Sequence, residues 1–457
     1  MDMSTLTSWR WVFAERGFLG SYLLLITGVI LALPLSGLKV PERHAAAFLF
    51  ILAIVSCLPF WDSPEYLLDT SRYFLQAKYL KVYGIAAFFR EWGKEITPWT
   101  DLPLVPLIYG LLFKVFGETK AAITVFNILL FSFTPVITYY IGRLLWDPVT
   151  GFLAGLLLLA SPYLLTQVPL MLVDIHTMFF LLLAVCIFLY AVERGGTSWL
   201  LASSLSIILA LMTKYSTWPM LGVLVIVTLT KLDSQPGLIL KRVSAITLLA
   251  VLFLGGILFW KGEVIMKQIS FLHTYQLSGL KKWHEGYIGT VFFQAHPFIF
   301  MAVLLGLCRA VRLREKNIFI IIWFVALVFL LGLKRLRYLL PLLPFITLAA
   351  SYGLQVIPDI RIRRYIVYSS VLWSLVIGIW IYRPFLAGIS MANLQQAGRF
   401  LDTLDSPAVE VYCLKQAESV GNTSVAVPIL DLYTRKDIFQ AQSWNYLQGF
   451  FFFHIKF

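Results

Sequence analysis

Residues Ala45 to Phe60 read A-A-A-F-L-F-I-L-A-I-V-S-C-L-P-F, and W-D-S-P-E-Y follows at once as Trp61 to Tyr66. The first string carries no charge and has the composition of a membrane-crossing helix. The second places a carboxylate, Asp62, at its end. A second acid, Asp174, sits in L-M-L-V-D-I-H just before another apolar run. An acid inside hydrocarbon costs ~3 kcal/mol or more, so acids at span ends are solvated boundary residues or working ones.

The rest of the chain supports a membrane reading. Of 457 residues, 59% are hydrophobic and only 13% charged; mean hydropathy is +0.81. Soluble domains carry roughly 25% charged residues. The net charge of +13 fits cytoplasmic loops and contact with anionic lipid. No basic-aromatic array points to nucleic acid. The cysteines Cys57, Cys186, Cys308 and Cys413 show neither a disulfide framework nor metal spacing. Met1 to Gly17 lacks a small-residue cleavage site, so no removable signal peptide is expected.

About 20 apolar residues cross a bilayer as a helix. Spans are expected near 18–37, 45–60, 121–142, 149–166, 175–192, 198–215, 217–230, 242–260, 291–309, 317–333, 338–356 and 365–385. A further apolar helix near 102–116 either spans or dips into the outer leaflet. The basic loops Arg309 to Lys316 and Arg361 to Arg364 belong in the cytoplasm by the positive-inside rule. Counting back places Glu193, Arg194 and Arg143 inside, and Asp174 and the loop 261–290 outside. If 102–116 only dips, Asp62 shares the outer side with Asp174, and Lys39 and Arg43 lie inside.

The expected fold class is therefore an all-α polytopic membrane protein of about 12–13 transmembrane helices with a small α/β extracytoplasmic tail. Three regions follow: an additional N-terminal span at 1–44, a transmembrane domain at 45–385 with an outer loop at 61–120, and the tail at 386–457. The outer loop holds seven of the 24 acidic residues. Its start reads as an amphipathic surface helix, with Glu65, Asp69, Arg72 and Gln76 on one stripe and Tyr66, Tyr73, Phe74, Ala77 and Leu80 on the other. In the tail, Met391 to Leu404 has helical periodicity and Ala408 to Leu414 reads as a strand. The final F-F-F-F-H-I-K-F reads as an apolar docking segment or part of a further domain. No internal repeat is visible.

Six strings occur in an order that resembles the glycosyltransferase C superfamily, within it the protein O-mannosyltransferase and lipid A aminoarabinose transferase group. They are Asp62-Ser63-Pro64-Glu65-Tyr66 after an early span, Pro98 to Leu104 leading to Phe116-Gly117, Ile141-Gly142-Arg143, Ser161-Pro162 with Asp174, Met212-Thr213-Lys214-Tyr215, and Arg337-Tyr338-Leu-Leu-Pro341-Leu-Leu-Pro344. Together they cover roughly residues 45–355. The chain departs from the pattern at Ser63, where the family has a second acid, at Glu65, where it has arginine, and at Thr124, where arginine usually follows the Phe-Gly turn. The span 18–37 lies outside the core pattern.

The resemblance implies an inverting glycosyltransferase that moves a sugar from a polyprenyl-phosphate donor to a lipid, glycan or protein acceptor at the outer face of a plasma or inner membrane. The residue types suit that chemistry. A positioned carboxylate can take the acceptor's proton, a contribution of about 10²–10⁴ in rate. The leaving group is a lipid phosphate, whose charge needs cations. Asp62 is then the base and Asp174 its assistant. Arg337, Lys334 and Lys214 are the candidates for the phosphate, with Glu65, Tyr66, Asp101 and Tyr338 in support. No metal set or certain cofactor is specified; His284-Glu285 lacks the second histidine of a zinc helix, and a divalent ion is compatible with the resemblance.

Each residue also has a structural reading. Asp62 with Glu65 three residues on, and Pro64 between, forms a capping-box pattern. Asp174 is placed to cap 175–192. Cations at span ends often snorkel. The loop 261–290, with Lys261, Lys267, Lys281, Lys282, Phe271, Tyr275 and Trp283, suits either a cover over a lipid donor or an ordinary interfacial loop. Asn422-Thr423-Ser424 is a sequon. The rival functional class is a secondary transporter or lipid flippase. Such proteins carry midplane charges in broken helices of repeated halves, whereas here the acids gather at one face.

Overall fold

The computed structural model describes residues 18–233, 235–276, 296–333, 336–414 and 423–440. Lys334, Arg335, Lys281, Lys282, Trp283, His284, Glu285, Asn422 and the terminal F-F-F-F-H-I-K-F lie outside the described residues. The chain forms two compact units. The first comprises residues 1–60, 128–168 and 173–383; the second comprises 61–127, 169–172 and 384–457. The acidic loop and the tail, separate stretches of sequence, thus fall in one unit.

The first unit is helical. Among the described residues, five helices of the chain are long and apolar enough to cross a membrane: Glu42–Phe60, Lys120–Leu145, Asp174–Arg194, Pro236–Thr274 and Ile360–Gly388. The other expected spans are shorter helices or broken ones. Expected span 149–166 divides into Pro148–Leu158 and Pro162–Gln167, the second opening at Pro162. Expected span 217–230 divides into Thr217–Met220 and Val223–Lys231. The long helix Pro236–Phe271 departs from helical geometry at Lys261. Helix Asp174–Arg194 is the most buried of the long ones, so its apolar residues serve as core on nearly every side.

Small residues let backbones approach. A Cβ on Gly151 would lie 2.2 Å from the Tyr139 carbonyl oxygen, and one on Gly353 would lie 2.0 Å from that of Ala302. Helix starts are chemically marked: Asp147 accepts N–H bonds from Val149 and Thr150, both at 2.9 Å, and Asp359 accepts from the Arg361 N–H at 2.7 Å.

The second unit is built on two helices, Asp69–Glu91 and Leu104–Phe116. They meet where Gly110 faces Ala77 and Leu80; a Cβ there would stand 2.8 Å from the Leu80 Cβ. Phe74 and Phe113 pack beside that contact, their rings tilted at 60° with centroids 5.4 Å apart. Gly84, at φ 85°, kinks the first helix. The tail supplies helix Ala392–Leu401, strand β1 (Ala408–Val411), helix Ala426–Asp431 and strand β2 (Asp437–Gln440). The strands pair in parallel, Ala408 opposite Asp437 and Val411 opposite Gln440. A parallel pair needs a crossover, and helix Ala426–Asp431 lies within it.

Two structural expectations fail here. The helix of the acidic loop begins at Asp69, not near Asp62, and Asp62 caps nothing. Nor is its polar stripe solvated, because Glu65 and Gln76 are buried. Polar spacing alone does not distinguish a wet face from one facing buried ion partners.

Candidate functional site

In the first unit the charged groups expected from sequence gather around one carboxylate. Asp174 is the first residue of its helix and is buried. It caps no N–H group. Its Oδ1 accepts from the Lys214 Nζ at 2.8 Å and its Oδ2 from the Arg337 Nε at 2.5 Å. Lys214 sits where helix Thr197–Leu211 has ended and Thr217–Met220 has not begun. Its ammonium also lies 5.2 Å from the centre of the Tyr338 ring. Arg337 comes from the short helix Leu336–Leu339 and is buried. Beside Lys214, the Tyr215 hydroxyl donates to the Gln268 Oε1 at 2.7 Å.

Asp174 thus joins two cations, largely out of water. Both oxygens of Asp174 are engaged by cations. The strings that supplied these residues lie far apart in sequence, yet Asp174, Lys214, Arg337 and Tyr338 converge.

In the second unit the acids of the first loop take unequal places. Glu65 is fully buried. Its Oε1 accepts from the Lys120 ammonium and from the Met171 N–H at 2.9 Å, and its Oε2 accepts from the Thr70 hydroxyl at 2.8 Å. Lys120 also donates to the Pro169 carbonyl at 2.6 Å. Glu65 is therefore a structural clamp joining three segments of this unit. Asp62 is more than half exposed. Its Oδ1 accepts from the Gln395 Nε2 at 2.9 Å and from the Arg399 guanidinium at 2.7 Å; its Oδ2 accepts from the same guanidinium nitrogen at 2.8 Å. Tyr66 is half-buried in the irregular segment next to Glu65.

Asp101 is buried and held by Arg72 at 3.1 and 3.2 Å and by Gln76 at 3.3 Å. Burial pushes its carboxyl above the usual range, against the pull of Arg72. Asp431 meets Lys78 at 2.5 Å, and Lys78 also meets Glu118 at 3.1 Å. Burial pushes the Asp431 carboxyl up to about 6, against the attraction of Lys78. Among the described residues, no group of three or more His, Cys, Asp or Glu side chains is placed to hold a metal ion.

Of the residues expected from sequence, Lys334 lies outside the described residues. The sequence does not mark out Lys120, Gln395, Arg399 or Tyr433. Lys120 follows the Phe116-Gly117 turn by three residues, and that position was the available signal. Nothing near Arg399 in the sequence marks a partner 337 positions away.

The chain is similar to known proteins in part of its sequence and in its fold. A family profile described as dolichyl-phosphate-mannose-protein mannosyltransferase matches residues 98–260, a stretch that includes Asp101, Lys120, Asp174 and Lys214. Among solved structures, ArnT from Cupriavidus metallidurans bound to undecaprenyl phosphate superposes with a TM-score of 0.59 at 14% identity, over 88% of this chain and 87% of that one. Its apo state gives 0.56 at 14% identity over the same shares. The archaeal oligosaccharyltransferase AglB from Archaeoglobus fulgidus, in complex with an inhibitory peptide and a dolichol-phosphate, gives 0.50 at 11% identity, over 87% of this chain and 64% of that one. No curated protein sequence matches the chain. The fold is shared with ArnT, and it is the all-α membrane fold expected from the sequence.

Proposed function

We propose that this chain is a multi-pass membrane glycosyltransferase that takes its sugar from a polyprenyl-phosphate donor and works on the non-cytoplasmic face. The observation that carries the reading is the trio in which buried Asp174 holds Lys214 and Arg337 together. Two cations fixed side by side by one carboxylate can together hold the charge of a phosphate. The fold shared with a protein solved with undecaprenyl phosphate makes a lipid phosphate the fitting anion.

In this reading the acceptor oxygen attacks the anomeric carbon from the side opposite the phosphate, inverting it. The acceptor's proton passes to Asp62, through Oδ2, which has one protein donor where Oδ1 has two. The bond from the anomeric carbon to the phosphate oxygen breaks, and the lipid phosphate departs with the electron pair. Lys214 and Arg337 hold the charge that develops there. Asp174 keeps both cations in place and Tyr338 faces the Lys214 ammonium.

Native mass spectrometry of the purified protein with undecaprenyl phosphate tests the phosphate half directly. Wild type should carry one lipid phosphate, and Lys214→Ala/Arg337→Ala should lose it while keeping ordinary phospholipids. Equal retention by both proteins would remove the trio from the donor site.

A further inference from the structure

The base assigned above stands in a loop that the tail grips at several points. Gln395 and Arg399 are four residues apart on helix Ala392–Leu401, hence on one face. Both donate to Asp62. Three residues on, the Glu65 N–H donates to the Tyr433 hydroxyl at 2.7 Å, and the Glu65 carbonyl accepts from the Met391 N–H at 2.8 Å. The tail helix is itself fixed against the same tyrosine: a Cβ on Gly398 would stand 2.6 Å from the Tyr433 carbonyl oxygen. Asp62, Glu65, Gln395, Arg399 and Tyr433 all belong to the second unit.

We infer that Gln395 and Arg399 are positioning residues for Asp62, so the C-terminal region is a working part of the transferase. The inference rests on the assignment of Asp62 as base. An exposed ion pair contributes little to stability, about 0–1 kcal/mol, so the grip on Asp62 has small value as a fold-holding contact. Its geometry is another matter. Two donors saturate Oδ1, and the guanidinium nitrogen bridges to Oδ2. The carboxylate plane is thereby set, while Oδ2 keeps room for an acceptor hydroxyl. A carboxylate free to rotate would spend much of its time turned away, and small misplacements at a reacting group cost about 10²-fold.

The test compares transfer by the full-length protein and by Arg399→Ala, Arg399→Lys and Gln395→Leu/Arg399→Ala, with the purified wild type as reference. Arg399 is more than half exposed, so its replacement should leave the melting transition unchanged. For Arg399→Ala, kcat should fall about ten- to hundredfold with little change in donor KM. Arg399→Lys should fall less, and millimolar guanidinium should return part of the lost kcat to Arg399→Ala only. Wild-type kcat in the double variant would overturn the positioning role while leaving the transferase reading intact. So would a slow Arg399→Ala that neither guanidinium nor lysine restores, since that outcome is loss of tail docking. A wild-type protein that transfers no sugar would overturn the underlying reading and the inference with it.

Discussion

Asp174→Asn changes one charge and almost no volume, at a site where the charge has two partners. Asp174 is 1% exposed, Arg337 5% and Lys214 22%. Breaking a buried pair by removing one member costs about 3–5 kcal/mol, because the remaining charge stays in a poor solvent. Lys214 can relax toward water and Arg337 cannot, so the lower end of that range, about 3 kcal/mol, is expected. That is roughly a 150-fold fall in the folded-to-unfolded ratio, at about 1.4 kcal/mol per decade. The assay is denaturant unfolding in detergent, followed by tryptophan fluorescence. Asp174→Asn/Arg337→Gln removes the stranded guanidinium as well and should recover most of the loss. The double variant should nonetheless fail to bind undecaprenyl phosphate. An Asp174→Asn midpoint equal to wild type, or a double variant no better than the single, would refute the view that these charges compensate one another.

Other expectations follow from the same geometry. Arg337→Ala should raise donor KM about tenfold or more, the scale of a charge-assisted hydrogen bond, and Arg337→Lys should restore only part, since lysine offers no planar fork; steady-state kinetics in donor concentration decides it. Asp62→Asn should lower kcat by about a hundredfold with an unchanged melting transition, as Asp62 is exposed and caps no helix. Glu65→Gln, by contrast, should lower stability by about 3 kcal/mol, because Glu65 is fully buried against Lys120; thermal melting separates the two acids. Burial holds the Asp431 carboxyl up to about 6 in the folded protein, against an ordinary 3.8 in the unfolded chain. The folded protein therefore holds the extra proton between those values, and docking of helix Ala426–Asp431 should weaken as pH rises through that window and level off above it. Hydrogen exchange over 423–440 at pH 5 and pH 7 should show it, and Asp431→Asn should abolish the difference.

The long apolar runs made most of the helices legible, because composition and length determine a membrane helix with little help from the rest of the chain. Breaks such as those at Ser161-Pro162 and Gly222 were less so, since they depend on what packs there; a Cβ on Gly222 would meet the Trp323 ring at 2.4 Å. The trio was half legible. Asp174, Lys214 and Arg337 each stand in one of the ordered strings, but their mutual contact needed coordinates. Glu65 illustrates the harder case. In sequence it reads as one member of a polar stripe. Its burial follows from Lys120 and the Met171 N–H, 55 and 106 residues away, and no local pattern encodes such partners. The same holds for Arg399 and Asp62.

The measurement closest to the central claim is mass spectrometry of lipid-linked sugars and glycoconjugates in cells that carry the wild-type protein, lack it, or carry Asp62→Asn. Loss of the protein and Asp62→Asn should each cause one polyprenyl-phosphate sugar to accumulate, while one class of glycoconjugate loses that same sugar. Lipid-linked sugars and glycoconjugates indistinguishable among the three would contradict the assignment of this chain as a polyprenyl-phosphate-dependent glycosyltransferase.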